Sequence, residues 1–159
     1  VTYTREVFSS PVDQALVVRI AASAPGSVTF TTSLSRPADA AVRTLGEDRI
    51  VMSGHAGQDG GVDFEARLRA IPEGGSVRAL DGSLRVEGAD AVTLLLTGAT
   101  SYRGDNPTAA CTKQLAEAEF DKHESRRREL EATEPTSDFD RLVEETRGLA
   151  EEQKGGEAE

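Results

Sequence analysis

Tryptophan is absent from these 159 residues, tyrosine occurs only at Tyr3 and Tyr102, and Cys111 is the single cysteine. Surfaces that hold sugar rings by stacking usually present Trp or Tyr, so the composition weighs against a carbohydrate-binding module acting alone. One thiol excludes an internal disulfide and any thiolate metal cluster built by this chain by itself. The two histidines, His55 and His123, lack a His or Cys neighbour at ligand spacing, so no metal site is expected. The glycine-rich stretches "GQDGG" and "EGGS" follow neither the dinucleotide nor the P-loop pattern, and no cofactor is expected.

Lysine is missing from residues 1–104, which hold 10 Arg against 12 acids for a net of -2, whereas residues 105–159 hold 8 bases against 16 acids for a net of -8. The chain therefore reads as two regions of different character. An acidic balance gains neither counterion release from nucleic acid nor Coulomb attraction from an anionic lipid surface, and both are excluded as partners. No apolar run approaches the about 18 residues that a spanning helix needs, and no basic-then-apolar leader opens the sequence. The segment is instead strand-like from its first residues.

What is present in the first region is period-two alternation. In "SVTFTTSL" Val28, Phe30 and Leu34 alternate with Ser27, Thr29, Thr31 and Ser33, as in a half-buried strand. In "VDFEARLRA" Val62, Phe64, Ala66 and Leu68 form one face, and Asp63, Glu65, Arg67 and Arg69 the other; that second face is expected to be solvated, its charges paired along the sheet. "AVTLLLTGAT" leaves almost no polar face, which places it mid-sheet, while Arg19 in "ALVVRI" should sit near an edge or reach a polar partner. Turns are expected at "APG" (24–26), "GQDGG" (57–61), "EGG" (73–75) and "DG" (81–82). The fold class is mainly β: an incomplete antiparallel β-sandwich over 1–104, followed by one or two acidic α-helices.

The period then changes. Asp105 or Asn106 can cap a helix with Pro107 in its first turn, and this linker helix, 105–132, shows only a thin stripe of Ala110, Cys111, Leu115 and Ala118. A second helix is expected from Ser137, within an acidic tail, 133–159, whose end "EEQKGGEAE" reads as disordered. Cys111 reads as a small core residue, and His55 as an ordinary loop histidine. In "REVFSSPVDQ", Arg5, Glu6, Asp13 and Gln14 flank a tight connection between two strands; they read first as a satisfied polar corner, and second as a surface that seats another domain.

The ordered segments "YTREVFSSPVDQALVVRIAASAPGSVTF", "GVDFEARLRAIPEGGSV" and "GSLRVEGADAVTLLLTGATSY", with the Pro-started helix after them, resemble the N-terminal β-sandwich domain of bacterial α-L-fucosidases of glycoside hydrolase family 95 over about residues 1–125. The resemblance implies that a strand-rich first half precedes Val1, that a catalytic (α/α) barrel of the same enzyme follows as partner, and that the chain is a fragment. It implies inverting hydrolysis of α-linked L-fucose, with fucosylated glycans met through the whole enzyme. Such chemistry needs an acid and a base held about 6.5–9.5 Å apart. In that family they lie on the barrel, so no catalytic residue is assigned here, and the chain by itself is expected to be inactive. If the first half is missing, some of Leu16, Val18, Ile20, Val28, Phe30, Val92, Leu94 and Leu96, about six side chains, are expected to lose apolar partners.

Overall fold

The structure is a computed structural model, and it describes residues 1–58 and 60–119, all within the first of two units, Val1–Phe120. Nine strands run in sequence: β1 (Tyr3–Ser10), β2 (Ala15–Ala22), β3 (Val28–Ser33), β4 (Ala40–Leu45), β5 (Arg49–Ala56), β6 (Val62–Glu73), β7 (Ser76–Leu80), β8 (Ser83–Ala89) and β9 (Ala91–Thr100). A 3-10 turn (Ser101–Arg103) and one helix, α1 (Pro107–Glu119), follow. The strands form a six-stranded antiparallel sheet, ordered β1-β2-β9-β6-β5-β4, and a three-stranded one, ordered β3-β8-β7. The expected antiparallel β-sandwich followed by a helix is what the chain forms.

The turns fall where the punctuating residues stand. Asp81 and Gly82 separate β7 from β8, and Gly74 and Gly75 separate β6 from β7, both with positive φ (66° and 60°). A Cβ at Gly75 would stand 2.3 Å from the Glu87 carbonyl oxygen, so close approach as well as backbone conformation requires glycine there. β9, the strand without a polar face, is indeed interior, paired with β2 on one side and β6 on the other. Arg19 finds its polar partner in a forked ion pair with Glu73, whose second bond, from Nη2 to Oε2, is 3.0 Å.

Between the sheets lies the main core, built from Val28, Ile50, Leu68, Ala70, Leu84, Val86, Ala89 and Val92. The alternation in β6 and β8 supplies it, because every second side chain turns inward. Among the positions where uncovered apolar side chains are expected, Ile20, Phe30, Leu94 and Leu96 pack partly buried against this core. Val28 and Val92 are fully covered, whereas Leu16 stays 36% exposed and Val7, its neighbour on the same face, 63%. Three strands opposite six leave the β1 side of that face thinly covered.

On the outer face of the large sheet sits α1. Asn106 caps it: the Ala109 amide donates to the Asn106 side-chain oxygen at 3.1 Å, and Pro107 occupies the first helical position, where no amide hydrogen is needed. Cys111, Leu115 and Ala118 of the thin stripe are buried, Leu115 and Ala118 against Ala15, Val17 and Leu95. The solvated face expected for β6 is therefore corrected at two positions. Glu65 is 5% exposed and Arg67 9%, because α1 packs on β6 and β9. The rest of the linker helix beyond Glu119, the second helix from Ser137, the acidic tail and His123 lie outside the described residues.

Candidate functional site

A buried polar group lies beneath α1. Arg67 Nε donates to Glu65 Oε1 at 2.6 Å, and the Thr108 hydroxyl donates to Glu65 Oε2 at 2.7 Å. Residues i and i+2 of a strand share a face, which is why Glu65 and Arg67 meet, and the first turn of α1 brings Thr108 down onto them. The Cys111 thiol donates to the Glu65 carbonyl at 3.3 Å. Burial pushes the Cys111 pKa up, the nearby Thr97 hydroxyl partly offsets this, and the Glu65 charge adds to the rise. A small cavity of about 120 Å³ adjoins the cluster, lined by Leu45, Arg49, Arg67, Thr112, Leu115 and Ala116. The buried Glu65 carboxylate is thus cross-linked through both oxygens, one to a guanidinium and one to a hydroxyl. This is a clamp between helix and sheet.

Other carboxylates of the sandwich are tied in the same manner. Asp48 Oδ2 accepts from Arg69 Nε at 2.7 Å, and Glu87 Oε1 accepts from both Arg78 and Arg85 at 3.2 Å. Asp90 Oδ1 accepts the Gly26 amide at 2.6 Å, pinning the β2–β3 connection. These groups set register and hold turns.

The four residues singled out in "REVFSSPVDQ" are not gathered at one point. Arg5 and Glu6 are exposed on opposite faces of β1, Arg5 in register with Ile20 and Glu6 with Arg19. Asp13 and Gln14 lie beyond the far end of the strand, about 17 Å from Arg5 at roughly 3.3 Å per residue. Asp13 is buried, accepting from the Ser10 hydroxyl at 2.7 Å and donating its amide to that oxygen at 3.3 Å. Gln14 adopts a φ of 52° and donates from Nε2 to the Pro11 carbonyl at 2.6 Å.

His55, at the end of β5, stands opposite Asp63 in the β5–β6 register, and its Nδ1 lies 2.7 Å from Asp63 Oδ1. The Asp63 amide donates to the Ser101 hydroxyl at 2.9 Å, tying this hairpin to the 3-10 turn. The hydrogen bond to Asp63 raises the imidazole pKa above 6.5, and the charges of Asp63 and Asp39 add to it. Gly61 is needed beside the ring, since a Cβ there would come within 2.5 Å of His55 Nε2. Sequence reasoning could not see the Glu65–Arg67–Thr108 clamp. Its one signal was the stripe Cys111, Leu115 and Ala118, which needs a landing place on some sheet.

Two antiparallel sheets, a capped helix seated on the larger one, and carboxylates engaged in cross-links define a β-sandwich domain whose polar groups serve architecture. Comparison with known families agrees in kind. The chain belongs to the family described as glycosyl hydrolase family 65, N-terminal domain, whose model matches residues 1–105. It is thus the N-terminal domain of a glycoside hydrolase. No curated protein matches the chain.

Proposed function

We propose that this domain is the non-catalytic N-terminal sandwich of an α-L-fucosidase-like glycoside hydrolase, in which residues 1–104 form the sandwich, residues 105–132 link it to the catalytic (α/α) barrel, and fucosylated glycans are bound by the assembled enzyme. The observation that carries the non-catalytic part is the state of the carboxylates: Glu65, Asp48, Glu73 and Glu87 are each held by arginine. A general acid or base must face the substrate with its reacting oxygen, whereas these oxygens face arginines of the same domain. The specificity for fucose is supported by the order and spacing of the three long segments that resemble family 95. The domain then contributes position rather than chemistry: it packs on the barrel and shapes its mouth. Its β1–β2 hairpin, which bears Arg5 and Glu6 and ends in the Asp13–Gln14 turn, is the surface we assign to that contact.

The test is complementation. The barrel of an α-L-fucosidase, prepared without its own N-terminal domain, is mixed with this chain. A higher melting temperature and faster turnover of an aryl α-L-fucoside are expected, with no change for a barrel of different glycosidic specificity. Equal effects on both barrels would remove the fucosidase assignment, and no effect on either would remove the docking role.

A further inference from the structure

β1 is an edge of the six-stranded sheet along its whole length; it is eight residues long, with no proline or lysine, and Arg5 and Glu6 are its only charges. Val7 is 63% exposed and Phe8 39%. On the face toward the smaller sheet, alternation and register set Tyr3, Arg5 and Val7 beside Ala22, Ile20 and Val18. There a groove of about 240 Å³ opens between β1 and β3, the edge of the other sheet, lined by Tyr3, Arg5, Ile20, Val28 and Phe30 among others. The Tyr3 hydroxyl donates to the Ser27 carbonyl at 3.1 Å across the groove. Arg5 is exposed, and its side chain makes no ion pair among the described residues.

A second copy does not satisfy this edge. In antiparallel pairing about a two-fold axis, residues directly opposite share a face, so Arg5 would meet Tyr3, Arg5, Val7 or Ser9 of the other copy. None of these is acidic.

We propose that the β1 edge and the adjoining groove receive an extended protein strand of different sequence, with a carboxylate on the face that meets Arg5 and apolar side chains two residues to either side of it. Main-chain bonds to β1 supply affinity, and the alternate side chains supply selectivity. The apolar positions cover Val7 on one side of Arg5 and Tyr3 on the other. The inference rests on the reading that the β1–β2 hairpin is a contact surface and names the element that it receives, whatever the barrel's substrate.

The experiment is selection of a displayed random octapeptide library on the full chain and on its Arg5→Glu variant, followed by hydrogen exchange of the complexes with synthetic peptides. Arg5 is exposed, so the variant should fold. Enrichment of the pattern apolar-x-acidic-x-apolar is expected. A selected peptide should bind about fivefold more tightly than its Glu→Lys analogue, the order should reverse on Arg5→Glu, and exchange across Tyr3–Ser10 should slow. The proposal is overturned by no enrichment, by a Glu or Lys preference unmoved by Arg5→Glu, or by β1 amides already protected in the free chain. Protection that is independent of concentration would mean that the chain's own remainder covers the edge. Protection only where sedimentation shows a dimer would mean that a second copy does.

Discussion

Arg67 and Glu65 show most sharply how a single residue's role depends on what covers it. Exposed, such an i, i+2 pair contributes at most about 1 kcal/mol; under α1, at 9% and 5% exposure, the balance differs. Arg67→Met leaves the Glu65 carboxylate buried without its guanidinium, which should cost about 3–5 kcal/mol in a urea melt, whereas Glu65→Leu combined with Arg67→Met should recover most of that loss. His55 gives the contrasting case of an exposed pair. Its pKa is raised above 6.5 mainly by the hydrogen bond to Asp63. For a group raised on folding, the stabilisation is fully present below pH 6.5 and fades as pH climbs through the raised value. The imidazole resonances of His55 should therefore titrate above 6.5, and Asp63→Asn should bring the midpoint back down. An unchanged midpoint in Asp63→Asn would contradict the pairing.

Among elements, α1 is the one whose docking can be followed chemically. Leu115 is 4% exposed and packs with Ala15, Val17 and Leu95, so Leu115→Ala should destabilise by about 2–5 kcal/mol. Cys111 is fully buried, with its pKa raised by burial, so the thiol should resist an aromatic disulfide reagent in the native protein. It should react rapidly in Leu115→Ala under mild denaturant; equal reactivity in native wild type would mean that the helix does not cover it. The strands were legible in sequence wherever burial is one-sided, as in "SVTFTTSL" and "VDFEARLRA", because the period of two is then imposed by water on one face. The interior place of β9 was legible because "VTLLLT" offers water nothing. The burial of Glu65 and Arg67 was not legible, since a charged strand face reads alike whether water or a helix covers it. Nor was the separation of Arg5 from Asp13, which are close in sequence but lie at opposite ends of an extended strand. Asp13 is neutralised as a surface group by Ser10, a partner three residues away that composition gives no reason to single out.

At the scale of the whole molecule, the sandwich supplies a scaffold in which Glu65, Asp48, Glu73 and Glu87 are tied into cross-links by arginine. The family membership and the tied carboxylates point the same way, toward a non-catalytic N-terminal domain of a glycoside hydrolase. Among the described residues, Val1, Tyr3, Val7, Phe8, Val12 and Leu16 are exposed on or beside the β1–β2 hairpin, while Leu45, Leu80 and Tyr102 are exposed elsewhere. A hairpin that carries several exposed apolar side chains is suited to contact with another surface. The most direct measurement of the central claim is the rate at which the purified chain, by itself, releases the aryl group from an aryl α-L-fucoside across pH 4 to 8. The account predicts no release above buffer at any pH. Turnover that copurifies with the chain and falls on Glu65→Gln or Asp63→Asn would contradict it, and would place an acid and base pair on the sandwich itself.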